Sequence, residues 1–282
     1  MPLGDQSVGG GLVLAVRVVF LGPHHSFTHE AALFFFGDEG VEFIDVPTIS
    51  SVFSSVEGYE ADYGVVPVEN SLEGPVGETL DNLARRMLHI YAGVELKIKL
   101  VLACSGNHRS PVYSHPHAVG EALGKVREML GESVEVVYTT STSHAAERAA
   151  SEGGCCICSR RAAESMGLNI LSSDVSEGEN YTRFIVLAWR DQPEKATRTS
   201  IVTAIPDRPG ALYHWLEPFA KHGVNLKMIY SRPIPSKPWH YNFYVDLEGT
   251  RMDNRVRKAI EEAARRSLFL RILGSYPVKI EA

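Results

Sequence analysis

No apolar run in this chain is long enough to cross a bilayer; Val13 to Phe20 is short and is interrupted by Arg17. A basic excess is missing too. The 28 Lys and Arg against 34 Asp and Glu give a formal net charge of −6, which argues against the basic face of a dedicated nucleic-acid binder. Cysteine is scarce, with only Cys104, Cys155, Cys156 and Cys158, and the spacing lacks the paired Cys-x-x-Cys hooks of a structural zinc site. On a strand, Cys156 and Cys158 would share one face while Cys155 and Ile157 share the other. All four are expected to be small buried hydrophobes in a reduced protein. The start, Met1 to Gly11, carries no basic n-region of a signal peptide, so residues 1–15 read as a flexible leader and the cytoplasm is the expected location. There is no low-complexity tract.

What is present is ordinary globular material, 44% hydrophobic and 22% charged over 282 residues, enough for one large domain and a small one. Strand and helix patterns alternate. Strands are expected at Val16 to Leu21, Tyr63 to Val68, Glu95 to Ala103, Val134 to Tyr138 and Cys155 to Cys158. Helices are expected at Phe27 to Phe36, Thr79 to Leu88, His117 to Leu130, Ser143 to Ser151 and Arg160 to Met166. The alternation favours an α/β architecture with parallel strands over residues 16–190. A polar, Pro-containing stretch at 191–198 reads as a linker. Residues 199–282 then follow the order βαββαβ of a ferredoxin-like unit.

Four strand exits are rich in hydroxyl and amide side chains. Ser26, Phe27 and Thr28 follow the first strand, Asn70 and Ser71 follow Val65 to Val68, and Ser141 and Thr142 precede an Ala-rich helix. The fourth segment is Asn180-Tyr181-Thr182-Arg183-Phe184, which enters an apolar run. In open α/β sheets ligands bind beyond the carboxyl ends of strands, where helix N-termini present free N–H groups. Each segment alone is also ordinary helix capping or a loop-to-strand junction. Together they suggest a pocket for a small anion, held by neutral donors and dipoles without a metal. In a regular strand Thr182 and Phe184 share one face and Arg183 the other, so Arg183 reads either as a carboxylate ligand or as a salt bridge supporting the loop. Phe184 could pack against a substrate ring or fill core. His24, His25 and His29 with Glu30 hint at a metal site, but the remaining ligands are not visible.

In their order these segments resemble prephenate dehydratase with a C-terminal ACT domain, from about Val16 to Pro277. The family's Gly-Pro-x-Gly-Thr-Phe-Ser element is similar to Gly22 to Thr28, its Val-Pro-Ile-Glu-Asn-Ser element to Val66 to Ser71, and its Thr-Arg-Phe signature to Thr182 to Phe184. The Ser-Thr pair before an Ala-rich helix is Ser141-Thr142. The ACT effector loop resembles Gly210, Ala211, Leu212 and Tyr213, and the Glu-Ser-Arg-Pro segment resembles Tyr230, Ser231, Arg232 and Pro233. Two departures stand out: His25 replaces a glycine, and Tyr230 replaces a carboxylate. The resemblance implies a catalytic domain of two α/β lobes with a cleft, like type II periplasmic binding proteins, and a ferredoxin-like ACT domain. It implies loss of water and carbon dioxide from prephenate to give phenylpyruvate in L-phenylalanine biosynthesis, without cofactor or metal. Thr182 would be the proton donor. Ser26, Phe27, Thr28, Asn70, Ser71, Ser141, Thr142, Arg183 and Phe184 would bind substrate. L-Phenylalanine would act as effector at Gly210, Ala211, Leu212, Asn225, Ser231 and Arg232, where ACT domains pair in a homodimer or homotetramer. A fused chorismate mutase is not expected, because few residues precede Val16. The alternatives are an arogenate dehydratase and a non-catalytic amino-acid sensor.

Overall fold

The structure is a computed structural model that describes residues 15–234 and 237–281. The leader expected over residues 1–15 lies, apart from Ala15, outside the described residues. The chain starts with β1 (Val16–Leu21), α1 (Phe27–Phe36), β2 (Val41–Val46), α2 (Ile49–Glu57), β3 (Tyr63–Asn70), β4 (Gly74–Pro75), α3 (Gly77–Arg85) and β5 (His89–Lys97). It crosses to a second sheet with β6 (Val101–Ser105), β7 (Val112–Ser114), α4 (Pro116–Leu130), β8 (Val136–Tyr138), α5 (Thr142–Glu152), β9 (Gly154–Cys158), α6 (Arg160–Ser165) and β10 (Asn169–Ser172). It returns as β11 (Tyr181–Ala188) and continues with β12 (Arg198–Ala204), α7 (Ala211–Lys221), β13 (Leu226–Ile234), β14 (Lys237–Glu248), α8 (Asn254–Ala264), β15 (Phe269–Tyr276) and β16 (Val278–Ile280).

The first sheet has the order β16-β5-β11-β3-β1-β2, with β4 attached to β3, and the second β10-β6-β9-β7-β8. Neither is fully parallel, as the alternation led one to expect. β11 runs antiparallel to both β3 and β5, and β6 runs antiparallel to β9, because the chain enters and leaves the second sheet by extended crossings rather than by helices. The single strand expected over Glu95 to Ala103 is two strands in different sheets. The outgoing and returning crossings are bonded side by side: Ile98 N–H donates to Asn180 O at 2.8 Å and Val175 N–H to Leu100 O at 2.8 Å.

The third sheet, β13-β14-β12-β15, has the ferredoxin-like order. One face buries Trp215 and Phe219 of α7 with Ile260 of α8 against Ile201 and Val245; a fully buried Phe contributes about 1.5–3 kcal/mol. The other face is not solvent-facing. Val202, Tyr244, Leu273 and Tyr276 join one core with Val52 and Phe53 of α2, Leu80 and Leu83 of α3, and Ile185 of β11. Gly274 comes so close to the Ile90 carbonyl that a Cβ there would collide with it.

Both ends of this unit touch the rest of the chain or its own sheet. The stretch 191–198 is held, since Asp191 bonds Arg251 and the Ser275 N–H, and residues 193–195 form a short 3₁₀ turn. The last strand, β16, pairs in parallel with β5 and so lies in the first sheet. The cysteine expectation is corrected as well. Cys104 and Cys155, register partners on β6 and β9, form a disulfide, because antiparallel pairing sets them opposite one another. Cys156 and Cys158 are the free pair, buried on the same face of β9 in the core beneath α5 and α6.

Candidate active site between the two lobes

Two sheet edges face each other. In the second sheet β7, β8 and β9 run parallel, so their carboxyl ends lie together. Each leads into a helix capped by a side chain: His115 for α4, Ser141 for α5 and Ser159 for α6. Ser141 Oγ accepts from His144 N–H at 3.0 Å, and Ser159 Oγ from Ala162 N–H at 3.1 Å. Three helix N-termini at one edge concentrate positive dipole ends there.

In the first sheet β1 and β3 run parallel and β11 antiparallel, so the exits of β1 and β3 share an edge with the start of β11. Ser26 caps α1, its Oγ accepting from His29 N–H at 3.3 Å. Thr28 is buried on the first turn of that helix, and Phe27 packs against the apolar clusters of both lobes. Three contacts join the two edges: Ser159 Oγ donates to His25 O at 3.2 Å, Asn180 Nδ2 donates to both Glu121 oxygens at 2.8 Å, and Glu73 meets the His117 ring.

Thr182 lies opposite Asn70 in the β11–β3 register. Asn70 Nδ2 donates to Thr182 Oγ1 at 3.0 Å and to Asn180 Oδ1 at 2.5 Å. Its own oxygen accepts from the Leu72 and Glu73 N–H groups at 2.9 and 3.1 Å, which fixes the amide's orientation. The threonine oxygen therefore receives a hydrogen bond from a locked donor, and its own proton remains to be given elsewhere. Ser71 is tied to β11 by a pair of bonds, its N–H donating to Tyr181 O at 2.8 Å and its Oγ accepting from Tyr181 N–H at 2.9 Å.

Of the residues expected at the site, Asn70, Ser71 and Thr182 come together, Ser26, Phe27 and Thr28 stand on the same edge, and Ser141 and Thr142 stand on the facing one. Phe184 does not join them, whereas Arg183 lines one cavity with Ser71 and Thr182. The Arg183 guanidinium is enclosed by Glu69, Glu95 and Asp246, the salt-bridge alternative, and Phe184 is 2% exposed in the core under α1. Strand alternation and burial of the apolar face account for both. Glu121, Asn180 as a bridge, and Ser159 were not anticipated. Ser159 repeats the strand–Ser–helix pattern of Ser26 and Ser141 and was legible; Glu121, on a helix far along the chain, carries no local signal. The histidines form a packed group, not a ligand set. His24 Nδ1 lies 2.9 Å from Asp45, and His29 stacks on Phe20 with its Nδ1 accepting from His25 N–H at 3.0 Å. Among the described residues no cluster of three or more His, Cys, Asp or Glu could hold a metal ion. His25 adopts a left-handed φ of 64°, the conformation in which a glycine is relaxed.

At the C-terminal unit, Gly210 precedes α7 with φ 77°, Ala211 and Leu212 open that helix, and Asn225 Nδ2 donates to Glu248 at 3.0 Å. Ser231 is exposed on β13, whose outer edge pairs with no other strand among the described residues. Arg232, the other residue expected to meet the effector, donates from Nε and Nη2 to Asp81 of α3 at 2.6 and 2.7 Å, its side of β13 facing α3. Gly77 leaves the room that this guanidinium occupies.

The sequence profile of the prephenate dehydratase family matches residues 18–192, and that of the ACT domain matches residues 199–265. A bifunctional chorismate mutase/prephenate dehydratase of Aquifex aeolicus is 42% identical over 93% of this chain and 74% of its own length. An Arabidopsis thaliana chloroplastic arogenate dehydratase/prephenate dehydratase is 32% identical over 97% of this chain and 75% of its own. The crystal structure of a prephenate dehydratase from Arthrobacter aurescens in complex with L-Phe superposes with a TM-score of 0.85, at 32% identity, over 93% of this chain and 90% of that one.

Proposed function

The chain belongs to the prephenate dehydratase family, and from that membership we propose how its residues perform the elimination and its control. Prephenate loses its ring carboxylate as carbon dioxide. The electrons of the breaking C–C bond enter the ring and expel the ring hydroxyl, which must be protonated to leave as water. Thr182 supplies that proton and regains one from solvent. The observation that carries this is the Asn70–Thr182 hydrogen bond: Asn70 stabilises negative charge developing on Oγ1 while leaving the threonine proton free to be given. A neutral donor suits a dianionic substrate, which a carboxylate would repel. The carboxylates are received by the helix N-termini, with Ser26 and Thr28 on one edge and Ser141 and Thr142 on the other. Arg183 lies beside Thr182 as an anchor, and Phe184 stands behind the site as core.

L-Phenylalanine acts as feedback effector at the turn Gly210, Ala211 and Leu212 with Asn225 and Ser231, completed by a second copy paired along the open edge of β13 in a homodimer or homotetramer. The Arthrobacter relative, whose structure is that of a complex with L-Phe, supports this. Arogenate is the less favoured substrate, since the Aquifex relative is the more similar of the two and is named for prephenate alone. The test is phenylpyruvate formation from prephenate, with arogenate in parallel, by wild type and Thr182→Ala. The variant should keep its fold and lose about 10²–10⁴ in kcat, with phenylalanine lowering the wild-type rate. A folded Thr182→Ala enzyme of undiminished kcat refutes the donor assignment, and a folded wild type that leaves prephenate unchanged refutes the dehydratase reading.

A further inference from the structure

We propose that Asp246, on the C-terminal sheet, is a positioning residue for Thr182 and acts through Arg183. The inference rests on Thr182 being the proton donor. Arg183 Nη1 lies 2.8 Å from Glu69 and 3.3 Å from Asp246, and its Nε lies 3.3 Å from Glu95. Glu69 and Glu95 are its register partners on β3 and β5, so they come with the first sheet. Asp246 does not. It belongs to β14 and is 5% exposed, and Ser200 of β12 donates to its other oxygen at 2.5 Å. The Ser200 hydroxyl is in turn 2.6 Å from Tyr276 OH, and Arg198 of β12 reaches Glu95 at 3.1 Å. A largely buried set of charges therefore spans the two units, and its centre is the residue next to the donor.

The strand geometry makes that adjacency matter. Thr182 and Arg183 point to opposite faces of β11, so a rotation of one about the strand axis turns the other. The β11–β3 register shifts between Arg183 and Phe184, with Val68 the extra residue on β3, while β11 keeps regular pairing with β5 as far as Val186; such a bulge increases the local twist of the pair. Held by Asp246 from the other side, Arg183 stabilises that twisted pairing and keeps Thr182 Oγ1 on Asn70. Without the hold, the hydroxyl loses its aim while the substrate carboxylates, received elsewhere, are still bound. The C-terminal sheet thus completes the catalytic geometry rather than only attaching to it.

Asp246→Asn keeps the volume and removes the charge. The expected result is a fall in kcat of about tenfold with KM changed less than about twofold. In a Thr182→Ala background the same substitution should leave the residual kcat as it is, because no hydroxyl remains to be aimed. Equal losses in both backgrounds would assign Asp246 to general stability and overturn the proposal. Hydrogen exchange of the amides over 180–184, read by mass spectrometry, decides without turnover. Faster exchange there at unchanged global stability is expected, and unchanged exchange overturns the coupling. Should the wild type fail to convert prephenate, the proposed function falls, and the exchange result still decides this point. Ser200→Ala, a milder change, should give the same pattern at lower amplitude if Asp246→Asn does not fold.

Discussion

His29 is a residue whose environment sets its chemistry. Stacked on Phe20 and accepting from the His25 N–H, it is held as a neutral ring, and burial, helped by the neighbouring His24, lowers its pKa to about 4. The unfolded chain takes up that proton near pH 6.5, the folded one only near pH 4. The stability the neutral ring contributes is complete above pH 6.5 and is lost as pH falls towards 4, by about 3 kcal/mol at most. Glu30, whose carboxyl is pushed up mainly by burial, works in the opposite direction but is common to both proteins compared. Urea titrations at pH 7.5 and pH 4.5 should therefore show a smaller acid loss in His29→Asn than in wild type. An equal loss in both would place the acid sensitivity elsewhere. At this scale the sequence was informative where chemistry is local: Ser26, Asn70, Ser141 and Thr182 stand out as hydroxyls and amides at strand ends. The partners that orient them do not, because Asp246 and Glu121 reach β11 only through folding and each looks like a plain charged residue in its own segment.

Among the elements, those with their own caps and periods were legible: α1 between Ser26 and Gly37, α4 behind Pro116, and the whole βαββαβ order of the C-terminal unit. The crossing at 98–100 was not, since apolar alternation runs unbroken from β5 into β6 although the chain changes sheets. Of the elements absent from the expectations, α2 has the plainest signal, with Thr48 as cap and Ile49, Val52, Phe53 and Val56 at helical spacing. The β6–β9 pair hid a different fact, because Cys104 and Cys155 are far apart in sequence and only strand register brings them together. Denatured without reductant, the chain should alkylate at two thiols, and after reduction at four. For a loop of 51 residues, reduction should also cost about 4 kcal/mol of stability. Alkylation at four thiols before reduction would refute the bridge.

At the scale of the whole molecule, the C-terminal unit is fastened to the first lobe more tightly than a linker alone implies. Arg232 pairs with Asp81, Tyr244 OH donates to Leu80 O at 2.8 Å, and Arg271 donates to Leu83 O and Arg86 O, so α3 is gripped along its length. α3 follows closely on β3, which ends at Asn70, giving this unit a second approach to the donor pair besides Arg183. Both routes flank one shared core, in which Val202, Tyr244, Leu273 and Tyr276 of the face turned away from α7 and α8 pack against the first lobe.

The pairing of β16 with β5 means that the first lobe holds the C-terminal unit at its tail as well as at its head. Topologically that unit is a clasp closed at both ends rather than a pendant. A protease cut within residues 191–198 would sever the backbone without parting the pieces: two bands in denaturing gels, one unchanged peak in native gel filtration. Release of a free C-terminal fragment under native conditions would show that the clasp does not hold.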